Sequence, residues 1–346
     1  MKIAIITDQH FGARKGSKIF HDYFQKFYEN IFFPTLEKEG ISTIIDMGDT
    51  FDNRKSIDFW SLDWAKRNYY DRLEELGIKL WTIVGNHTAF YKNTNKLNTI
   101  DLILSEYNNV FPISECSTYA VDGKTPICFI PWINQENQEE TFNHIKNTSA
   151  QIAFGHLELN GFYCYRGYTQ DHGMSPDLFD KFKKVYTGHY HTRSDNGKIF
   201  YLGNPYELFW NDVDDVRGFH IFDTETLEHV AIDNPYKIFK VINYRDSIAK
   251  NYDYSDCSEK IIKVIVKEKK IPGLFEKFIE QLDKSDCHEV KIVESIKELE
   301  EVEYDGEIED TVSLLNKYVE EYDTDLSKSK IKSLIQEIYK EACEIQ

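Results

Sequence analysis

Five short apolar runs in this chain each end in a cluster of Asp, Asn and His. Ile3-Ala4-Ile5-Ile6 leads into Asp8-Gln9-His10, and Thr43-Ile44-Ile45 leads into Gly48-Asp49-Thr50-Phe51-Asp52. Leu80-Trp81-Thr82-Ile83-Val84 precedes Gly85-Asn86-His87, Gln151-Ile152-Ala153-Phe154 precedes Gly155-His156, and Lys184-Val185-Tyr186-Thr187 precedes Gly188-His189-Tyr190-His191. If the runs are strands of neighbouring sheets, Asp8, His10, Asp49, Asn86, His156, His189 and His191 converge on one cavity. That is enough donors for two divalent metal ions sharing a bridging carboxylate. Such a pair, about 3.5 to 4 Å apart, hydrolyses phosphate esters by polarising the phosphoryl oxygen and supplying hydroxide at neutral pH. Imidazole mixed with carboxylate suits Mn, Fe or Zn, whereas a Mg site is usually nearly all oxygen. No cysteine falls in the five clusters, which argues against a structural zinc site there.

Elements must carry these ligands to one place. Runs rich in Ile and Val and bounded by Gly read as buried strands with polar residues just past their carboxyl ends, the edge where ligands bind in open α/β sheets. Strand and helix signals alternate through residues 1–232, as an α/β domain requires. Residues 17–38, with Ile19, Tyr23, Phe27 and Ile31 at four-residue spacing, read as an amphipathic helix disturbed near Pro34. Residues 56–76, closed by Gly77, read as a second. Its Phe59, Trp60, Trp64, Tyr69 and Tyr70 are too many aromatics for one stripe, so they divide between core and an exposed contact, or all belong to the core.

The texture changes after Asn234-Pro235. Apolar runs at 238–242 and 261–266, a helical stretch near 274–282 and a strand near 290–293 predict a small α+β unit over residues 236–296. Its Lys260, Lys263, Lys267, Lys269 and Lys270 form either a contact for a negatively charged partner or a solvated face. Residues 297–310 continue a mostly acidic stretch and read as a linker. Residues 311–346 then carry two amphipathic repeats, with Leu315 and Val319 in the first and Ile331, Leu334, Ile335 and Ile338 in the second. Stripes of that kind, set apart by a linker, are expected to pack on a partner.

The 346 residues suffice for a large core with smaller units attached. No apolar run approaches the roughly 20 residues of a membrane-spanning helix, and strand signal from Met1 onward leaves no room for a targeting peptide. Six scattered cysteines without a C-x-x-C pair are expected to be reduced thiols in a cytoplasm. A net charge of −18 is unusual for a nucleic-acid enzyme. Any contact with nucleic acid would then be local or shared with a partner, or the acidity serves solubility. No Gly-rich phosphate loop is present, so ATP use would lie in a partner.

Taken together, Asp8-x-His10, Gly48-Asp49-x-x-Asp52, Gly85-Asn86-His87, Gly155-His156 and Gly188-His189-x-His191 resemble the signature of the calcineurin-like metallophosphoesterases. More narrowly, the run 48–55, the run 155–162 and Arg217-Gly218-Phe219 before Asp223-Thr224-Glu225-Thr226 resemble SbcD-type DNA repair nuclease subunits, those of T-even-like phages above all. The resemblance covers most of the chain. It implies a four-layer α/β fold, a β-sandwich flanked by helices, with a small capping domain and a C-terminal helical segment that grips the coiled coil of an SMC-like ATPase. It implies one metal held by Asp8, His10, Asp49 and His191, and a second held by Asp49, Asn86, His156 and His189, with Asp49 as the bridge. It makes His87 the catalytic histidine, Asp52 and Arg54 supporting or DNA-contacting residues, Mn the preferred metal, and the protein a homodimer in the cytoplasm of the infected cell. The family usually has Asp after the Gly-Asn-His triplet to orient the histidine. This chain has Thr88, which leaves the protonation of His87 open.

Three functions compete. The leading one is a DNA nuclease, exonucleolytic on duplexes and endonucleolytic on single strands. The same centre would also serve a phosphatase or small-molecule phosphodiesterase, and a scaffold with a relic site is the third. The intact ligand set weighs against a relic, because buried polar groups without a use are costly. The C-terminal helices weigh against a small-molecule enzyme.

Overall fold

The computed structural model describes residues 1–294 together with 319, 327, 328, 330–332, 334 and 335. Residues 1–293 form one compact unit and the segment from 294 onward another. In the first, two six-stranded sheets lie face to face. One runs in the order Glu228–Asp233, Gly218–Asp223, Lys2–Ile6, Thr43–Asp46, Lys79–Ile83, Val110–Ile113. Its last four strands are parallel, and the first two are antiparallel additions. The other runs Ser194–Asp195, Ile199–Tyr201, Lys184–Gly188, Ile152–His156, Ile127–Ile130, Ser117–Tyr119, with four parallel strands between antiparallel edges.

Alternate side chains of these strands serve different layers. Ile3, Ile5, Ile45 and Ile83 of the first sheet meet Ile127, Phe129, Ile152 and Phe154 of the second in a central apolar layer. The opposite faces, Ala4, Ile6, Ile44 and Leu80 on one side and Cys128, Ala153 and Val185 on the other, pack against flanking helices. The four-layer α/β sandwich that the resemblance implies is the one observed.

The two long helices expected near the N-terminus are each interrupted. Lys18–Phe27 and Phe33–Glu39 are joined by a π turn over Tyr28–Phe32, where the Phe33 N–H bonds back to Tyr28 O. Pro34 has no N–H to continue the normal ladder, so the disturbance expected at the proline falls in the preceding turn. Phe59–Ala65 and Asp71–Glu75 are likewise joined by a π turn over Lys66–Tyr70. That extra residue per turn rotates the stripe, which is how Trp64, Tyr69 and Tyr70 all reach the core while Phe59 is 90% and Trp60 42% exposed.

Residues Phe239–Arg245, Ile261–Glu268 and Glu289–Glu294 form a three-stranded sheet covered by the Leu274–Asp283 helix, with its own core around Tyr244, Val264 and Phe278. Ile238, Phe239 and Ile261 nevertheless join the main core. Buried Glu207 accepts the Ile238 and Phe239 N–H groups at 2.9 Å each, and the Phe239 ring lies 4.5 Å from that of Trp210. The small sheet is thus fastened to the large one rather than strung from it.

In the second unit Val319 is helical and buried, and residues 330–332 are helical with Leu334 and Ile335, of which Leu334 is 55% exposed. Leu315, Ile338 and the acidic stretch 297–310 lie outside the described residues.

One buried histidine sets an acid limit on stability. His220, in Gly218–Asp223, bonds through Nε2 to Leu202 O at 3.0 Å, with Arg193 and His229 as its charged and titratable neighbours. Burial, reinforced by the Arg193 charge, brings its pKa from 6.5 down to about 3. The folded state therefore holds His220 neutral, and the stability it contributes is complete above pH 6.5 and falls as pH drops toward 3. Urea denaturation of His220→Gln should show a shallower loss of stability between pH 6.5 and 4.5 than the parent, the curves converging by about 1.4 kcal/mol per pH unit. Parallel curves would mean that His220 titrates normally.

Candidate metal centre

All seven proposed ligands lie where the parallel strands of both sheets end. After Lys2–Ile6 and Thr43–Asp46 the two chains continue side by side, with Asp8 N–H bonded to Gly48 O at 2.9 Å, His10 N–H to Asp49 O at 3.0 Å and Phe11 N–H to Thr50 O at 2.8 Å. Asp8, His10, Asp49 and His189 all have positive φ, 53°, 49°, 51° and 85°. Four non-glycine residues in this rarely occupied region at one place mark a functional site held against local strain. Glycines make room for it. A Cβ at Gly85 would overlap the Asp49 carboxylate, and one at Gly188 would overlap Thr7 and Asp8.

The donors fall into two groups. Asp8, His10 and His191 form one, with His10 Nε2 and His191 Nε2 3.2 Å apart and each 4.0 Å from Asp8 Oδ1. Asp49, His156 and His189 form the other, with Asp49 Oδ2 3.1 Å from His156 Nε2. Asn86 Oδ1 joins that second group, 2.8 Å from His156 Nε2 and 3.0 Å from His189 Nδ1.

Hydrogen bonds fix which ring nitrogens are free. His10 Nδ1 is 3.0 Å from Asp52 Oδ1 and His156 Nδ1 2.8 Å from Met47 O, so in each ring Nδ1 carries the proton and Nε2 presents its lone pair inward. Lone pairs of imidazole, amide and carboxylate then face one another in a buried space, a set that only positive charge reconciles. The residues fit divalent cations. Without one, the site draws a proton: burial pulls His156 down, but the charge and hydrogen bond of Asp49 outweigh it and bring its pKa up to about 9. Burial acts in the opposite direction on Asp49, favouring its protonation, yet the His156 and His87 charges hold it well below the ordinary carboxylate range. Asp8 is raised, by burial above all.

Half-exposed His87 does not join either group. Its Nδ1 is 2.6 Å from Asp52 O and its N–H donates to Asp49 Oδ1 at 2.7 Å, while its ring centroid stands 5.0 Å from that of His10. Thr88 is buried and closes the turn, its hydroxyl accepting the Gly85 N–H at 2.9 Å and donating to Gly85 O at 3.1 Å. Thr88 therefore does not orient His87, and the Asp52 carbonyl does. Asp52 accordingly serves two histidines, one through its carboxylate and one through its main chain. Arg54 is half-buried beyond it.

Several supporting residues carry no motif. Buried Asp46 accepts bonds from Gln9 at 2.9 Å, Thr50 at 2.5 Å and the Gly48 N–H at 3.2 Å, and Tyr206 donates to Gln9 O at 2.6 Å. Tyr28 donates to Gln9 Oε1. This network ties together the two loops that bear Asp8, His10 and Asp49. Arg217 is 1% exposed and bonds to His191 O and Asn204, and to Asp212 and Asp215 at 3.0 and 2.9 Å, fixing the loop that presents His191. Trp132 lies 5.1 Å from the His189 ring and forms a wall beside it.

Comparison with known proteins accords with this geometry. Residues 1–193 match the family model described as calcineurin-like phosphoesterase. The chain is 38% identical over 312 residues to exonuclease subunit 1 of Enterobacteria phage T4, covering 88% of this chain and 89% of that protein. Among solved structures, an archaeal phosphodiesterase aligns with TM-score 0.35 and 13% identity over 68% of this chain and 100% of its own. A dimetal phosphatase from Danio rerio aligns with TM-score 0.37 and 10% identity over 64% of this chain and 91% of its own. The sequence matches decide the family: this chain belongs to the calcineurin-like phosphoesterases and is a metal-dependent phosphodiesterase.

Proposed function

We propose that the protein is the nuclease subunit of an SbcCD-like recombination or repair complex, digesting duplex DNA from its ends and cutting single strands internally, with Mn as its preferred metal. The observation that carries this reading is the 38% identity, over nearly the full length of both chains, to a phage protein named as an exonuclease subunit. Two divalent ions bound by Asp8, His10, Asp49 and His191, and by Asp49, Asn86, His156 and His189, would polarise the phosphodiester and lower the pKa of water. Asp52 holds His10 in the tautomer that ligates, and Met47 O does the same for His156. His87, with Nδ1 engaged by Asp52 O, keeps Nε2 for the substrate, where it would stabilise charge or protonate the leaving oxygen.

The small sheet and its covering helix, in the unit expected over residues 236–296, would cap this centre and touch DNA. Several of its lysines already have partners: Lys260 pairs with Asp256, Lys269 with Glu276 at 3.2 Å, Lys270 with Glu268 at 3.0 Å, and Lys263 lies 4.1 Å over the Trp210 ring. Exposed pairs of this kind are worth about 0–1 kcal/mol, so phosphate can replace them at little cost. Exposed Phe59 and Trp60 would form a homodimer contact. The segment 311–346, through Leu315, Val319, Ile331, Leu334, Ile335 and Ile338, would dock on an SMC-like ATPase, and the protein would act in the cytoplasm. No helix among the described residues is long and apolar enough to cross a membrane.

The deciding assay gives the purified protein Mn with labelled duplex DNA beside a generic phosphomonoester. Shortening of the duplex with slow monoester turnover supports the nuclease. Efficient monoester hydrolysis with intact DNA favours a phosphatase. In the same system Leu334→Asp should prevent co-purification with the ATPase partner and leave the isolated subunit's cleavage unchanged. Retained complex formation would place Leu334 outside the interface.

A further inference from the structure

Outside the centre, one other group of metal-ligating side chains comes together among the described residues: Cys116, Cys128 and His144. Cys116 immediately precedes the edge strand Ser117–Tyr119, and Cys128 lies in the neighbouring Ile127–Ile130. Their antiparallel register sets Thr118 opposite Cys128, so Cys116 and Cys128 are diagonal neighbours on one face of the sheet. That face is covered by the Gln138–Asn147 helix, whose Ile145 and Phe142 pack into the same core and whose His144 bends toward the sulfurs.

The two Sγ atoms are 4.0 Å apart, and with one ring nitrogen of His144 they lie within 4.8 Å of one another. Two thiolates each about 2.3 Å from a tetrahedral ion sit roughly 3.8 Å apart, close to what is found. A disulfide would need about 2.05 Å. Thr118 Oγ1, 2.9 Å from His144 Nε2 and 2.7 Å from Thr148 Oγ1, adds hydroxyl oxygen at the margin. Two thiolates would cancel the charge of one divalent ion, which suits this half-buried place.

We propose that Cys116, Cys128 and His144 form a second metal site, separate from the phosphoesterase centre, which takes one thiophilic divalent ion of the zinc type. Bound there, the ion pins the Gln138–Asn147 helix to the edge of the second sheet. The segment entering that helix carries Trp132, so the pin also steadies the wall beside His189. The soft donors sort the two sites. The phosphoesterase centre offers oxygen and imidazole nitrogen only, and hard or borderline ions go there.

Cobalt tests this directly, because a thiolate-to-cobalt charge-transfer band in the near ultraviolet arises only at a cysteine site. The full-length protein, reduced and stripped with chelator, is titrated with Co(II). The band should saturate with one ion and vanish when zinc is added. It should be absent in Cys116→Ser, a half-exposed position that tolerates the change. His144→Gln, at a half-buried helix position, keeps both sulfurs and should weaken cobalt binding by at least about tenfold, the low end of what even outer-shell partners cost. A parent protein without the band, or a band that survives in Cys116→Ser or is unaltered in His144→Gln, overturns the assignment. An absent band in the parent overturns the assignment even if a variant fails to fold.

Discussion

Asp49→Ala should lose more metal and more phosphodiester hydrolysis than any other single substitution at the centre. Its carboxylate is the anion of the second donor group and the proposed bridge to the first: Oδ2 is 3.1 Å from His156 Nε2, and Oδ1 accepts the His87 N–H at 2.7 Å. Removing it leaves His156, Asn86 and His189 as neutral donors with no anion, and also frees the backbone that carries His87. The rate should fall beyond the roughly 10² to 10³ that a single transition-state donor accounts for. Metal content by elemental analysis and DNA cleavage are measured on the same sample. Asp8→Ala is the comparison, since it strips the first group alone. Full cleavage by Asp49→Ala would end the two-metal reading.

The sequence makes some of this visible and hides the rest for a physical reason. Each of the five clusters follows a strand directly, so the ligands announce themselves through local signals: an apolar run, a glycine, then Asp, Asn or His. Their supports do not. Gln9 is held by Tyr28 and by Tyr206, the latter 197 residues away, and Arg217 reaches back 26 residues to His191 O. Such contacts exist only after folding and leave no spacing to read. The π turns at Tyr28–Phe32 and Lys66–Tyr70 are hidden likewise, because one residue inserted in a helix blurs the period without breaking it. Cys116, Cys128 and His144 illustrate the same limit, since sheet register and helix packing bring them together across separations that fit no ligand-spacing motif.

Thr88 is a case in which the sequence poses a question that the fold answers. Lacking the usual acidic residue after Asn86-His87, the chain leaves the protonation of His87 open, and from the sequence Thr88→Asp is expected to restore the orienting carboxylate. The structure turns the Thr88 hydroxyl to Gly85 instead and gives His87 Nδ1 the Asp52 carbonyl. Aspartate at position 88 would place a charge at a fully buried position and lose the bond donated to Gly85 O. It is therefore expected to destabilise the Gly85–Thr88 turn rather than to improve catalysis.

His87 itself should separate chemistry from binding. It is half-exposed, belongs to neither donor group, and is tied to the site through main-chain bonds. His87→Ala removes the ring and keeps the N–H that bonds Asp49 Oδ1, so the Asp49 carboxylate stays oriented. Metal content and affinity for DNA should be preserved while the cleavage rate falls by roughly 10² to 10⁴, the range of a general acid or charge-stabilising donor. The loss should be smaller for a substrate whose leaving group is a good one, such as a nitrophenyl phosphodiester, because an oxygen that departs readily as an anion has little need of a proton. Equal losses on both substrates would assign His87 to stabilising charge on phosphorus instead. Loss of metal would make it a ligand, and would require the Asp52 O contact to break so that the ring could turn inward.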